Sequence, residues 1–183
     1  MQSKNNYIEF LYFTNNLKFK KNILKFKNIS IVYNTDISPR KIKNLNEVSR
    51  FCIKHKISLY IKDNFRLAVK TKAKGVFLSA TNKRIITNPF YNDKFLIFGS
   101  AHNQMEYYFK KQQKCSLITL SPIFYNKKYS SNQILGATKF KLISTNWKIK
   151  LCALGGINKT NLKKIKLTRA TFVGCQRLVE DNL

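Results

Sequence analysis

The residues best suited to chemistry in this 183-residue chain fall just after short apolar runs. Gly155-Gly156-Ile157-Asn158 follows Leu154. Paired glycines there let the backbone approach a ligand closely, and exposed N–H groups ahead of a helix can cradle a phosphate. The same pair also suits a tight strand-to-helix turn with no ligand. Asp63 follows Ser58–Lys62, Asn82 follows Val76–Ser79, Ser100 and His102 close Phe95–Ser100, and Ser121-Pro122-Ile123-Phe124 ends another run. Asp63 is equally a helix N-cap type and His102 equally a structural histidine. Cys52, Cys115, Cys152 and Cys175 form no CxxC pair and lie in or beside apolar runs. They read as small buried thiols rather than zinc ligands.

Elements that place such residues at one end of a fold are legible in the pattern. Short apolar, β-branched runs alternate with amphipathic runs rich in Lys and Asn, the signature of repeated βα units and a parallel sheet. Eight strands are predicted: Phe10–Thr14, Ser30–Asn34, Ser58–Lys62, Val76–Ser79, Phe95–Ser100, Ser116–Ser121, Lys150–Leu154 and Thr171–Cys175. Eight is the number a closed barrel requires, and function in such a barrel belongs at the C-terminal ends of the strands. Helices are predicted over Asn44–Lys54, with Leu45, Val48, Phe51 and Cys52 on one face, over Asn103–Gln112, with Met105, Tyr108 and Phe109 on one face, and over Asn161–Leu167. The chain is short for a full barrel, and little of it lies between the first two strands or after Cys175. The expected fold is therefore a somewhat trimmed (β/α)8 barrel with short first and last helices, as a single domain over residues 1–183. An open α/β sheet fits the same pattern.

The net charge is +27, carried mostly by lysine spread along the whole chain. Such a field attracts anions, from nucleic acid to phosphorylated metabolites. A uniform Lys-, Asn- and Ile-rich bias on solvated positions explains it more simply than dedicated nucleic-acid binding, and no nucleic-acid motif accompanies it. No apolar run reaches the ~20 residues of a bilayer span, and residues 1–17 lack the features of a signal peptide. The expectation is a cytoplasmic protein without a membrane partner. Nothing in the sequence marks an oligomeric state.

Four ordered segments carry a family resemblance. Gly75-Val76-Phe77-Leu78 resembles a G-V/I-H-L strand. Gly99-Ser100-Ala101-His102-Asn103 with Glu106 resembles a G-x-S-x-H…E segment, its glycine displaced by one residue. Leu120-Ser121-Pro122-Ile123-Phe124 resembles a G/S-P-I/V-F/Y strand end, and Ala153 to Asn158 with Asn161 resembles A-I/L-G-G-I-N…N. Together they are similar to the thiamine phosphate synthase/TenI family over roughly residues 30–180.

The resemblance implies a transferase of thiamine biosynthesis that joins hydroxymethylpyrimidine diphosphate to thiazole phosphate and expels pyrophosphate by a dissociative route. Its partners are small phosphorylated thiamine precursors and its cofactor is Mg2+. The family's first magnesium aspartate falls on Asp63, the asparagine before it on Lys62, and the second magnesium aspartate near the neutral Asn82. The basic cluster after the second strand falls on Asn34-Thr35-Asp36, with Arg40 and Lys41 close in sequence. The hydroxyl-rich loop after the sixth strand is replaced by a segment containing Lys127 and Lys128, either phosphate contacts or a solvated loop. Ser100 is placed on the diphosphate or pyrimidine side, and Gly155 and Gly156 on the thiazole phosphate. In the relatives called thiazole tautomerases the histidine corresponding to His102 transfers protons, which suits imidazole near neutral pH and needs no metal. A TenI-like tautomerase, an inactive relative and a basic nucleic-acid-binding protein are the alternatives.

Overall fold

The computed structural model describes residues 8–34, 39–85, 95–127 and 129–181. Eight strands occur in the expected places: β1 (Glu9–Thr14), β2 (Ile29–Tyr33), β3 (Ser58–Lys62), β4 (Gly75–Leu78), β5 (Leu96–Ser100), β6 (Leu117–Leu120), β7 (Lys150–Ala153) and β8 (Phe172–Gly174). Each pairs in parallel with the next, and β8 returns to β1 through Glu9↔Phe172, Phe10↔Val173 and Leu11↔Gly174. That last pairing closes the barrel and removes the open-sheet alternative.

The strands are apolar on both faces, as a parallel sheet covered on both sides requires. A buried residue of each strand joins one inner cluster, Leu11, Val32, Tyr60, Phe77, Phe98, Leu117, Cys152 and Phe172, with Phe13 and Leu96 packed against it. Aromatic rings fill much of this space. Tyr60 stacks on Phe98 at 4.1 Å, Phe98 meets Phe172 edge-on at 6.1 Å, and Phe13 meets Phe77 at 5.1 Å. Burying such a side chain stabilises the fold by about 2 kcal/mol. The alternating residues, such as Ile31, Ile61, Leu78, Ile118 and Val173, pack outward under the helices.

The outer layer is reduced, as the length required. α1 (Lys20–Ile23) has 4 residues and α6 (Gln176–Glu180) has 5. Between them lie α2 (Pro39–Lys54), α3 (Phe65–Lys70), α4 (Gln104–Gln112) and α5 (Gly136–Ser144). After β7 the predicted helix is a 3-10 segment, Leu162–Leu167, so trimming reaches beyond the first and last units. In α2 the buried positions include Leu45, Val48 and Cys52, as the periodicity predicts. In α4 the prediction fails. Met105 and Tyr108 are exposed, whereas Tyr107, Lys110 and, just past its end, Gln113 are buried. Tyr107 stacks on buried Trp147 at 4.5 Å, and Lys110 and Gln113 find polar partners, so the inward face is set by specific contacts rather than by apolar spacing. All four cysteines are free and buried. Burial pushes the Cys52, Cys115 and Cys152 thiols up to about 12, and Cys175 upward as well. Among the described residues no helix is long and apolar enough to cross a membrane.

Candidate functional site

Parallel closure brings the C-terminal ends of all eight strands to one rim, so Asp63, Asn82, Ser100, His102, Gly155 and Gly156 share one end of the molecule. Two assemblies stand out there.

The first is built from side chains at the ends of β3 and β4. Asp63 sits in the left-handed region at φ 50°, a conformation Asp tolerates better than most residues. Its N–H extends the ladder to the Phe77 carbonyl at 2.9 Å. Its Oδ1 accepts from the Ser79 N–H at 2.9 Å and from Asn82 Nδ2 at 2.8 Å. Of the two adjacent residues of N-cap type, Asp63 and Asn64, it is Asn64 that accepts from the Leu67 N–H and starts α3. Asn82 is committed twice, because its Oδ1 also accepts from the Arg84 N–H at 3.1 Å. Asn82 thus orients Asp63 in this structure. Lys62 shares the inward-facing parity of Tyr60, one step nearer the rim.

The second assembly is built from backbone at the ends of β6 and β7. The segment after the cis Ser121–Pro122 bond continues the pairing: Ile123 N–H donates to the Leu154 carbonyl at 2.9 Å and Phe124 N–H to the Gly155 carbonyl at 3.0 Å. Gly155 and Gly156 have φ 97° and 70°. A Cβ on Gly155 would lie 2.9 Å from Pro122 Cα, and the Cβ direction at Gly156 runs into the Phe124 and Tyr125 carbonyls. Both glycines therefore have a packing reason to be glycine. Their N–H groups have no hydrogen-bond partner among the described residues. Asn161 braces the turn, donating to the Gly156 carbonyl at 2.9 Å and accepting from the Asn158 N–H at 2.9 Å.

His102 and Ser100 lie between the two. His102 Nδ1 is 2.8 Å from the Ser121 carbonyl. A carbonyl only accepts, so Nδ1 carries the proton and Nε2 is left for solvent or ligand. The His102 N–H donates to Glu106 Oε2 at 2.7 Å, and Asn103 caps α4 through the Glu106 N–H. Ser100 Oγ donates to the Thr119 carbonyl at 3.5 Å, a long contact that leaves the hydroxyl easily redirected. Lys127 is exposed beyond β6. Lys128, Thr35 and Asp36, and the side chains of Arg40 and Lys41, lie outside the described residues.

Among the described residues no three His, Cys, Asp or Glu side chains converge as a metal cage. With Oδ1 of Asp63 engaged twice, its other carboxylate oxygen is the one that would hold a magnesium ion, an ion that often uses only one or two protein carboxylates. Cavities of about 470 and 530 Å³ lie elsewhere, beside Leu45 and Leu67 and beside Ile165 and Arg169. Neither is lined by a carboxylate, imidazole or thiol.

Residues 24–178 match the family model described as thiamine monophosphate synthase. The chain is 30% identical over 129 residues to a putative thiamine-phosphate synthase 2 of Aquifex aeolicus, covering 70% of this chain and 69% of that protein. It is 26% identical over 126 residues to a thiamine-phosphate synthase of Prochlorococcus marinus subsp. pastoris, covering 68% of this chain but 36% of that longer protein. Its fold superposes on a thiamine phosphate pyrophosphorylase from Pyrococcus furiosus with a TM-score of 0.76 at 16% identity, over 94% of this chain and 87% of the other. The YdjI aldolase from Escherichia coli gives 0.68 at 11% identity, over 95% and 78%. At these identities the structural likenesses establish the barrel and nothing finer.

Proposed function

The chain belongs to the thiamine monophosphate synthase family, and we propose that it joins hydroxymethylpyrimidine diphosphate to thiazole phosphate. In that reaction the bond from the pyrimidine methylene to the diphosphate oxygen breaks, pyrophosphate leaves with the electron pair, and the thiazole nitrogen attacks the resulting cation. Positioning and electrostatics supply most of such catalysis, with little acid–base work. The observation that carries this reading is the Asp63 carboxylate, held at the rim by a backbone N–H and an amide.

In this reading Asp63 faces the diphosphate, and the chemistry that magnesium supplies when bound is neutralisation of charge on that departing group. Ser100 contacts the diphosphate or pyrimidine side. The Gly155 and Gly156 N–H groups, without partners among the described residues, bind the thiazole phosphate. Lys62, Lys127 and Lys128 contribute positive charge. Asn82 orients Asp63 through its amide nitrogen, and its carbonyl oxygen, which accepts one N–H, keeps a second lone pair to offer the metal.

A second reading, a metal-independent thiazole tautomerase, draws support from His102, whose anchored Nδ1 leaves Nε2 to exchange a proton. One experiment separates the two. The protein is given both substrates and magnesium, and pyrophosphate and thiamine phosphate are followed. Magnesium-dependent product that falls at least ~100-fold in Asp63→Ala supports the synthase. No product, together with metal-independent isomerisation of the thiazole that is lost in His102→Ala, supports the tautomerase.

A further inference from the structure

Lys110 on α4 is 0% exposed, an unusual place for an ammonium group. Its Nζ donates to the Ser79 carbonyl at 2.7 Å, the Asn82 carbonyl at 2.8 Å and Gln113 Oε1 at 2.9 Å. Three acceptors require three N–H bonds, so the group is the charged ammonium with every donor satisfied. Burial pulls its pKa below the ordinary lysine value, while Cys115, Asp63 and Glu106 pull the other way. Gln113, itself buried, extends the grip by donating from Nε2 to the Asn82 carbonyl at 3.0 Å and the Arg84 carbonyl at 2.9 Å.

The stem has a built channel. A Cβ on Gly99 would lie 2.8 Å from Lys110 Cδ, so the β5 glycine makes room for the lysine to pass. The segment it reaches is the one that also holds Asp63. Lys110 and Gln113 take the carbonyls of Ser79, Asn82 and Arg84, while the Ser79 N–H and the Asn82 side chain hold the Asp63 carboxylate. Within the segment, the Asn82 N–H donates to the Ser79 carbonyl at 3.1 Å, making it a compact turn. A cation, through carbonyls, and an anion, through N–H groups, thus hold the same turn.

We propose that Lys110 is a positioning residue for Asp63: through the 79–84 turn, and with Gln113 beside it, it sets the direction in which the Asp63 carboxylate faces the rim. Lys110 itself, saturated and buried, touches no substrate. The inference rests on the reading of Asp63 as the group that faces metal and diphosphate. It gives a rim that lacks a second aspartate at position 82 a different means of holding the first.

The test uses the full chain and two readouts. Lys110→Met keeps the length of the side chain and removes its donors. The first readout is hydrogen exchange at the Ser79 amide, which donates to Asp63. The second is binding of Mn2+ in the presence of inorganic pyrophosphate, with Asp63→Asn as the reference for loss. The expected result is faster Ser79 exchange, unchanged exchange in β1 and β8, and about tenfold weaker Mn2+–pyrophosphate binding, the size typical of removing a support behind a metal ligand. Wild-type protection at Ser79, or lost protection with wild-type metal affinity, overturns the proposal. If the wild-type protein binds no Mn2+–pyrophosphate, the diphosphate reading of Asp63 fails, and Ser79 exchange alone then decides whether Lys110 positions that carboxylate. Should Lys110→Met not fold, Gln113→Met removes the neighbouring donors and is judged by the same two readouts, with wild-type behaviour in both overturning the proposal.

Discussion

The two ends of the rim are made of different materials. At β6–β7 the surfaces are backbone: the 122–125 segment lies against Gly155 and Gly156 so closely that no side chain fits between them. At β3–β4 the surfaces are side chains: Asp63, Asn82, Lys110 and Gln113 hold one turn through hydrogen bonds. A backbone-built site constrains a few positions absolutely and leaves the others free. A side-chain-built site spreads its requirements over residues far apart in sequence, each replaceable only if its partners change too.

The comparison breaks most visibly at Gly156. Gly156→Ala forces a Cβ toward two carbonyls at a left-handed φ, and the expected loss is about 3 kcal/mol or more in urea unfolding. A loss under about 1 kcal/mol would show that the 122–125 segment moves aside easily and that the two ends are alike. A smaller effect is expected from Asn161→Ala, which leaves the Gly156 carbonyl and the Asn158 N–H without their side-chain partner. About 1 kcal/mol is anticipated from the same measurement. A separate effect is a difference in response to alkali. Folded thiols such as Cys152 ionise near 12 instead of the ordinary 9.0. A raised folded pKa gives stability that is complete below pH 9.0 and is lost as pH rises toward 12. Replacing Cys152 by Ala, inside the barrel, should make the fall in urea midpoint between pH 9 and 11 shallower than in wild type. An unchanged slope would place the alkaline weakness elsewhere.

Much of this was open to inspection in the linear chain. The eight strands matched because β-branched and aromatic runs bounded by polar segments are local signals, and because barrel strands are apolar on both faces. The Gly-Gly pair was legible because only glycine accepts such φ values at so close an approach. The Asp63 position was half legible: its place at the end of β3 and the cap types at 63 and 64 could be read, but not which of the two caps α3. α4 was misread because periodicity ranks Met105 and Tyr108 as apolar and Lys110 as solvated, although a lysine stem is itself apolar and its head can be buried once three acceptors meet it. The one hint was a glycine in β5 with a lysine on the following helix, a pairing with no meaning until the strand and helix are packed.

The sequence by itself determined the number and order of the strands, the glycines of the β6–β7 end and the family. Each is encoded by residues near one another in the chain or by their order along it. Only the tertiary structure decided that the sheet closes, which face of α4 turns inward, and that Lys110 reaches across 31 residues of sequence to the Ser79 carbonyl behind Asp63. The physical reason is that a buried charge is tolerable only where its acceptors converge, and that convergence exists only after β3, β4, β5 and α4 have come together.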